Sequence, residues 1–347
     1  MDANIIDNAI KILFEKISIL DLEKLSISSY NKRYLKNYID NYYFFMPLYK
    51  QLLQKVLLKL NKPIKESVFV DYGGGCGILS FIALELGFKE VVYNDIYEVS
   101  VNDVKLISEA VKYPITHFVE GDIKEFVSYI ETENIIIDIC CSFDVLEHIY
   151  NLDVWFKEIR KIKSPFLLYF MTSANGNNPY KNYALKKIHA KAEYIGSEKA
   201  EGWKERDTNN SFLAIRKQII ATNFPDIENS KLDFLAAQTR GLYKPDIIEK
   251  IKKYQKTGVL DYKMKHKTNT CDPITGNWAE HIIDLKALKK NIESDRFHIK
   301  FTNSFYSYSS NKLFNVPKYI INKLIGVLGE ENLFFSPTYT LEIDIKK

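Results

Sequence analysis

Residues 68–77 read Val-Phe-Val-Asp-Tyr-Gly-Gly-Gly-Cys-Gly and run on into Ile78, Leu79, Ser80, Phe81, Ile82 and Ala83. An apolar run without turn residues, an acid at its end, a glycine-rich corner and then helix-period apolar residues spell strand, tight turn, helix. The glycines let the chain reverse through dihedrals that other residues avoid, and they leave bare backbone against which a ligand can lie. A glycine corner of this kind is shared by more than one class of nucleotide-binding sheet, so the residues that follow it decide the reading.

Helix-period residues run to Leu86, and Gly87 is a helix C-cap candidate. Residues 91–95, Val-Val-Tyr-Asn-Asp, form a second strand that closes on Asp95. An acid at the end of that strand, about twenty residues past the glycine loop, is placed to accept hydrogen bonds from both ribose hydroxyls of a nucleoside. A helix over 99–113 ends at Pro114, a third strand covers 115–119, and Glu120-Gly121-Asp122-Ile123 follows. On its own Asp122 also reads as an acidic loop residue or a helix N-cap. The fourth strand is read over 135–141, a helix over 154–161 and a fifth strand over 165–171. Unbroken alternation of strand and helix points to a parallel, doubly wound sheet.

The spacing Asp71, Gly73, Gly75, Gly77 resembles the cofactor loop of class I S-adenosylmethionine-dependent methyltransferases. Asp144-Val145-Leu146-Glu147-His148 is similar to the Asp-Val-x-Glu-His segment of their small-molecule branch, which includes quinone-precursor, natural-product and sugar enzymes. The resemblance covers residues 66–174 and resumes near the C-terminus. There a short helix opens at Leu285, a strand is read over 297–308, and Tyr339, Leu341, Ile343 and Ile345 alternate along a last strand. It implies an α/β, doubly wound, mostly parallel seven-stranded sheet of Rossmann-like type, closed by an antiparallel pair, with S-adenosyl-L-methionine as cofactor. The implied cofactor contacts are Asp71, Gly73, Gly74, Gly75 and Gly77 in the loop, Asp95 and Ile96 after the second strand, Asp122 and Ile123 after the third, and Phe143 after the fourth. In the family, the Gly-Asp pair matched by Asp122 lies near the adenine amine.

Four segments are expected: an N-terminal helical cap (1–65), a cofactor-binding core (66–175), a helical insertion in the substrate region (176–277) and a C-terminal completion of the sheet (278–347). The cap has helix-period positions at Ile6, Ile10, Leu13, Ile17 and Leu20, and again at Tyr49, Leu53, Val56 and Leu60. Between them lie Tyr30, Tyr34, Tyr38, Tyr42, Tyr43, Phe44 and Phe45, which either cement the cap onto the sheet or close over a bound molecule. The insertion carries helices around 180–192, 211–222 and 245–256. Its Lys186, Lys187, Lys191, Arg206 and Arg216 stand among Tyr183, Tyr194 and Trp203. A solvated helical face explains these charges, and an acceptor with an anionic handle is the functional alternative.

A formal charge of +4 on 347 residues gives no case for a polyanion-binding surface. Asn177-Asn178-Pro179-Tyr180 is close to the Asn-Pro-Pro-Tyr motif of DNA amino-methyltransferases, but it lacks the first proline and follows the fifth strand, not the fourth. Nucleic acid is therefore not expected as a partner, a nicotinamide-dependent dehydrogenase fits less well, and a non-catalytic binder of the same fold stays open. Cys76, Cys140, Cys141 and Cys271 lack paired metal-ligand spacing, so reduced thiols and no metal are expected. With no basic-then-apolar leader and no run long enough to span a bilayer, the expectation is a cytoplasmic protein without membrane insertion. Its oligomeric state is not readable.

A sulfonium donor already activates its methyl group, so the resemblance implies that the protein aligns a nucleophile and excludes water. Oxygen acceptors also benefit from a base. His148, beside the glycine-loop crevice, is the candidate base. His281, in Asn277-Trp278-Ala279-Glu280-His281, is the candidate for orienting the acceptor. Either can instead be a packing histidine; His117 and His298 read as structural, and His189 and His266 are uninformative. O-methylation of a small polar acceptor, sugar- or nucleotide-linked, in glycan or natural-product biosynthesis is favoured, with N-methylation open.

Overall fold

The computed structural model describes residues 3–196, 210–308 and 315–346. These fall into two compact units, one of residues 1–146, 153–173 and 284–347 and the other of residues 147–152 and 174–283.

The first unit is built on a seven-stranded sheet in the order β3-β2-β1-β4-β5-β7-β6. Its strands are β1 (Val68–Tyr72), β2 (Glu90–Asp95), β3 (His117–Glu120), β4 (Ile139–Phe143), β5 (Phe166–Thr172), β6 (Phe297–Asn303) and β7 (Tyr339–Ile345). The first five run parallel, and β7 pairs antiparallel with both β5 and β6. This is the doubly wound, mostly parallel sheet that the strand–helix alternation predicts, with the seven-stranded, Rossmann-like form and closing antiparallel pair that the resemblance implies. Every residue of β1 is buried, as expected of a strand covered on both faces.

Three helices precede the sheet: α1 (Ala3–Ser18), α2 (Ser29–Asp40) and α3 (Tyr42–Leu57). Leu52, Leu53 and Val56 of α3 are fully buried, and each such aliphatic side chain contributes about 1.5–3 kcal/mol. The N-cap of α2 is Ser28, and Asp103 accepts from its backbone N at 3.1 Å and from Asn31 Nδ2 at 2.8 Å. Asp103 lies in α5 (Glu98–Val111), so one buried carboxylate fastens the N-terminal helices to the helix that follows β2. Of the aromatic cluster, Tyr38, Tyr42 and Phe45 pack against the core, while Tyr34, Tyr43 and Phe44 are exposed.

The sheet's other helices are α4 (Ile78–Glu85), α6 (Ile123–Thr132), α7 (Leu152–Ile159), α12 (Leu285–Ile292) and α13 (Asn315–Val327). Between α7 and α12 come the helices of the second unit: α8 (Pro179–Ala190), α9 (Phe212–Asn223), α10 (Asn229–Gln238) and α11 (Lys244–Thr257). Asn178 caps α8 through Lys181 N at 3.1 Å with Pro179 at the first position, so the Asn-Pro-Tyr stretch is used as a helix start. Gly258 ends α11 with φ +70°, as its sequence position predicts.

Two expectations are corrected. The fourth strand spans Ile139–Phe143, not 135–141. Asp138 sets its start: its N bonds Val68 O at 3.1 Å and its carboxylate accepts from Val68 N at 2.8 Å, which fixes Phe69 opposite Ile139. Phe143 thus ends the strand, and does not follow it. The strand read over 297–308 stops at Asn303, where Asn303 N turns aside to Glu330 O and the ladder with β7 ends at Tyr339.

Candidate functional site

The glycine corner of the first unit joins β1 to α4. Gly73, Gly75 and Gly77 have φ of +70°, +55° and +81°, the left-handed region that glycine enters without strain. The corner is pinned to β2 by Gly74 N to Asn94 O (2.9 Å), by Tyr93 Oη to Gly75 O (2.6 Å) and by Gly75 N to Asp95 Oδ2 (3.0 Å). Neighbouring glycines serve different ends. A Cβ on Gly74 would lie 2.6 Å from the Tyr93 ring and 2.7 Å from Asp71 Oδ2, so that glycine is required by packing. A Cβ on Gly75 would meet no heavy atom within 4 Å, so bare backbone there borders open space. On the other side of the loop, a Cβ on Gly73 would sit 2.6 Å from Val145 Cγ2.

The strand-end acids divide the work. Asp71 Oδ2 accepts from Ser80 N (2.9 Å) and Ser80 Oγ (2.7 Å), clamping β1 to the first turn of α4. Burial pushes its carboxyl up to about 7, against the Ser80 donors, and the charge of Asp95 adds to the rise. Asp95 is 5% exposed and takes Gly75 N on one oxygen and Tyr97 N (2.9 Å) on the other. Since a carboxylate oxygen can accept from more than one donor, this geometry is compatible with ribose hydroxyls. Asp122 is exposed and caps α6: it accepts from Lys124 N at 2.7 Å while Glu125 Oε2 accepts from Asp122 N at 3.0 Å.

Ile96 is half exposed and Ile123 is buried at the start of α6. Phe143 ends β4 with its ring 4.7 Å from Tyr49. Tyr30 of α2 has its pKa raised by burial first, then by the neighbouring Tyr34 and the charge of Asp95. All four cysteines are free and buried. No helix among the described residues is long and apolar enough to cross a membrane.

In the second unit, residues 147–152 meet a hairpin-like loop. Thr270 O accepts from Ala279 N at 2.9 Å, Asn277 O accepts from Asp272 N at 2.8 Å, and Asn269 clamps Ile282 through both its backbone groups, at 3.0 and 3.1 Å. The loop presents Trp278, Glu280 and His281. His148 Nδ1 lies 2.9 Å from Trp278 O; that carbonyl can only accept, so Nδ1 carries a hydrogen and in the neutral ring Nε2 is the nitrogen with the lone pair. His281 N donates to Glu147 O at 3.1 Å, and its ring stacks on Trp278 at 4.4 Å and 19°.

The two histidines singled out in the sequence therefore belong to one constellation. Burial, with His266, His189 and Lys265 nearby, pulls the His281 imidazolium down to about 4, so this ring is neutral at cellular pH. His189 is buried between Thr268 and Glu280 O, a packing role, and burial lowers its pKa as well. His117 bonds Tyr129 within the first unit, as a structural histidine should.

Sequence reasoning missed Glu147 and Glu280. Donor atoms of Glu147, His148 and Glu280 all lie within 4.8 Å of one another. The available signal was a repeated dipeptide, Glu147-His148 and Glu280-His281. Among the charges of the insertion, Lys186, Lys187 and Lys191 are exposed as a solvated face should be. Arg216 is instead fully buried and pairs with Glu193, so it is neither surface charge nor acceptor handle. Trp203 and Arg206 lie outside the described residues.

No family model and no curated protein matches the chain. Among solved structures, it is similar to an S-adenosylmethionine-dependent methyltransferase from Clostridium acetobutylicum, at 8% identity over 91% of this chain and 98% of that one, with a TM-score of 0.42. It is similar to the plantazolicin methyltransferase BpumL in complex with SAH, at 12% identity over 98% and 99% of the two chains and a TM-score of 0.39. It is also similar to the PH0226 protein from Pyrococcus horikoshii, at 24% identity over 38% of this chain and a TM-score of 0.30. The chain spans 61% of the length of that last protein, less than two thirds.

Proposed function

We propose that the chain is an S-adenosylmethionine-dependent methyltransferase acting on an oxygen of a small polar acceptor in glycan or natural-product biosynthesis. The observation that carries this reading is the open backbone at Gly75, whose N–H is bonded to Asp95 at 3.0 Å while nothing stands within 4 Å of its missing side chain. A cofactor with a ribose and a charged tail fits that combination of bare backbone and strand-end acid.

Asp95 would hold the ribose, the open backbone at Gly75 would admit the tail, Gly73 would supply the left-handed turn beside Val145, and Asp71 would act through Ser80 by keeping the corner in shape. Phe143 and Tyr30 would contribute apolar wall. Bound there, S-adenosylmethionine supplies a methyl group already activated by its sulfonium.

His148 and His281 are the side chains we assign to the acceptor. His148, its Nδ1 tied to Trp278 O, offers the Nε2 lone pair to an acceptor hydroxyl. His281 is too weak a base to hold a proton near neutral pH and instead orients the acceptor beside Trp278. The exposed Lys186, Lys187 and Lys191 are available to an anionic handle such as a sugar nucleotide.

The test is transfer of labelled methyl groups from the donor to a panel of hydroxylated and amino small molecules. An oxygen acceptor predicts that His148→Ala lowers turnover roughly a hundredfold with donor affinity unchanged, and that His281→Ala mainly raises the acceptor's Michaelis constant. Label appearing only on amines, with His148→Ala as active as the parent, would sink the oxygen assignment.

A further inference from the structure

We propose that α13 is an interfacial helix that docks the first unit on the surface of an anionic lipid bilayer. This helix is inverted relative to one that packs on a core. At 3.6 residues per turn, Val316, Tyr319, Ile320, Leu324 and Val327 share one arc of about 140°. All five are exposed, Val327 to 83% and Val316 to 62%, and Leu328 and Phe334 just past the helix are exposed as well. The helix buries Ile325 alone, which lies on the opposite side. Polar side chains hold it to its own unit instead. Lys318 Nζ donates to Ser307 O at 2.8 Å, and Asn322 is tied to Tyr306 twice, its Oδ1 accepting from Tyr306 N at 2.7 Å and its Nδ2 donating to Tyr306 O at 3.0 Å.

Charge selects the occupant of the apolar face. Residues 315–329 contain Lys318 and Lys323 and no acid. The first acid after them, Glu330, accepts from Lys300 Nζ at 2.8 Å, and Glu331 follows it in the turn beyond the helix. Lys323 stands inside the apolar arc, its ammonium 5.5 Å from the centre of the Tyr319 ring. A second copy of the chain pressed on this face would bring that ammonium against apolar side chains or against its own counterpart, and burying such a charge is costly. A lipid surface avoids the conflict: the lysine stem lies among apolar groups while the ammonium reaches headgroup phosphate, and Tyr319 suits the same depth. With 13 residues α13 is too short to span a bilayer. It would lie in the plane of the surface with its apolar side chains about 5–10 Å into the boundary between headgroups and acyl chains, each lysine adding attraction to anionic lipid.

The inference concerns where the first unit sits and does not rest on the methyl donor, so the experiment leaves the donor out. The full chain is floated through a density gradient with vesicles of phosphatidylcholine alone and with vesicles of phosphatidylcholine mixed with phosphatidylserine. The expected result is binding to the mixed vesicles roughly tenfold or more tighter than to the neutral ones, weakening as salt is added. Ile320→Glu combined with Val327→Glu should abolish flotation at the parent's melting temperature, because both side chains are exposed. Lys323→Glu should weaken binding to the mixed vesicles several-fold, and Lys323→Arg should leave it near the parent's. Absence of flotation by the parent, equal binding to the two kinds of vesicle, or unchanged flotation in the double variant would overturn the proposal. A parent that ignores vesicles but sediments as a dimer, which Ile320→Glu converts to a monomer, would overturn it in favour of a second copy of the chain.

Discussion

Asp71 and Asp95 of the first unit direct their carboxylates at the glycine corner and its flanks: Asp71 meets Ser80 nine residues on, and Asp95 meets Gly75 twenty residues back. Glu193 of the second unit is held quite differently. Its oxygens take the Arg216 guanidinium from 23 residues away and Thr270 Oγ1 (2.7 Å) from 77. His148 finds its partner, Trp278, 130 residues along the chain. Asp71 and Asp95 serve a backbone turn close in sequence, whereas Glu193 serves side chains that only the folded chain assembles. The first kind of site leaves a short motif in the sequence, whereas the second leaves at most paired dipeptides.

Removing one partner of the buried ion pair would break this contrast most sharply. Arg216 is fully buried, its Nε donates to Ala236 O at 2.8 Å and its other nitrogens bond Glu193. Arg216→Leu strands a buried carboxylate, with an expected cost of about 3–5 kcal/mol in urea denaturation. Replacing Glu193 by leucine as well should restore most of that loss. A single substitution costing less than about 1 kcal/mol would show that the pair is solvated and that the second unit has no such buried anchor.

The acid of the first unit makes a pH-dependent counterpart. The folded-state value of Asp71 is raised to about 7 from a reference of 3.8, chiefly by burial. A raised acid favours the folded state fully below the unfolded value and loses that contribution as pH climbs toward the folded one. Between pH 4 and 7 the parent should therefore lose up to about 4 kcal/mol relative to Asp71→Asn, from roughly three units at 1.36 kcal/mol each. Parallel stability curves for the two proteins across that range would mean that the Ser80 donors fully offset the burial cost.

Legibility followed the range of the contacts. Strand, glycine corner, helix and closing acid were readable around residues 68–95 because each is set by neighbours in sequence. Gly87 and Gly258 were readable as helix ends for the same reason, both with positive φ. The register of β4 was not, because Ile135 to Ile137 are as apolar as the strand itself and the start is chosen by Asp138 bonding Val68. Four helices, α2, α6, α10 and α13, were not read as elements. α10 buries only Leu235 and Ala236, and α13 only Ile325, so neither turns to the core the continuous apolar stripe that reveals a core-facing helix. Arg216 misled because a lone cation in a helix is nearly always surface charge, and its buried partner Glu193 sits in a separate turn of helix across a sequence gap.

The most direct measurement of the central claim is a calorimetric titration of the parent and of Asp95→Ala with S-adenosylhomocysteine, and separately with a nicotinamide dinucleotide. The proposed methyltransferase reading predicts that the parent binds the methyl-donor product in preference to the dinucleotide. It also predicts that Asp95→Ala, still folded, binds at least tenfold more weakly, because charge-assisted hydrogen bonds worth about 1.5–3 kcal/mol each are lost before rearrangement. Tight binding of the dinucleotide with none of the methyl-donor product, or unchanged affinity in a folded Asp95→Ala, would contradict it.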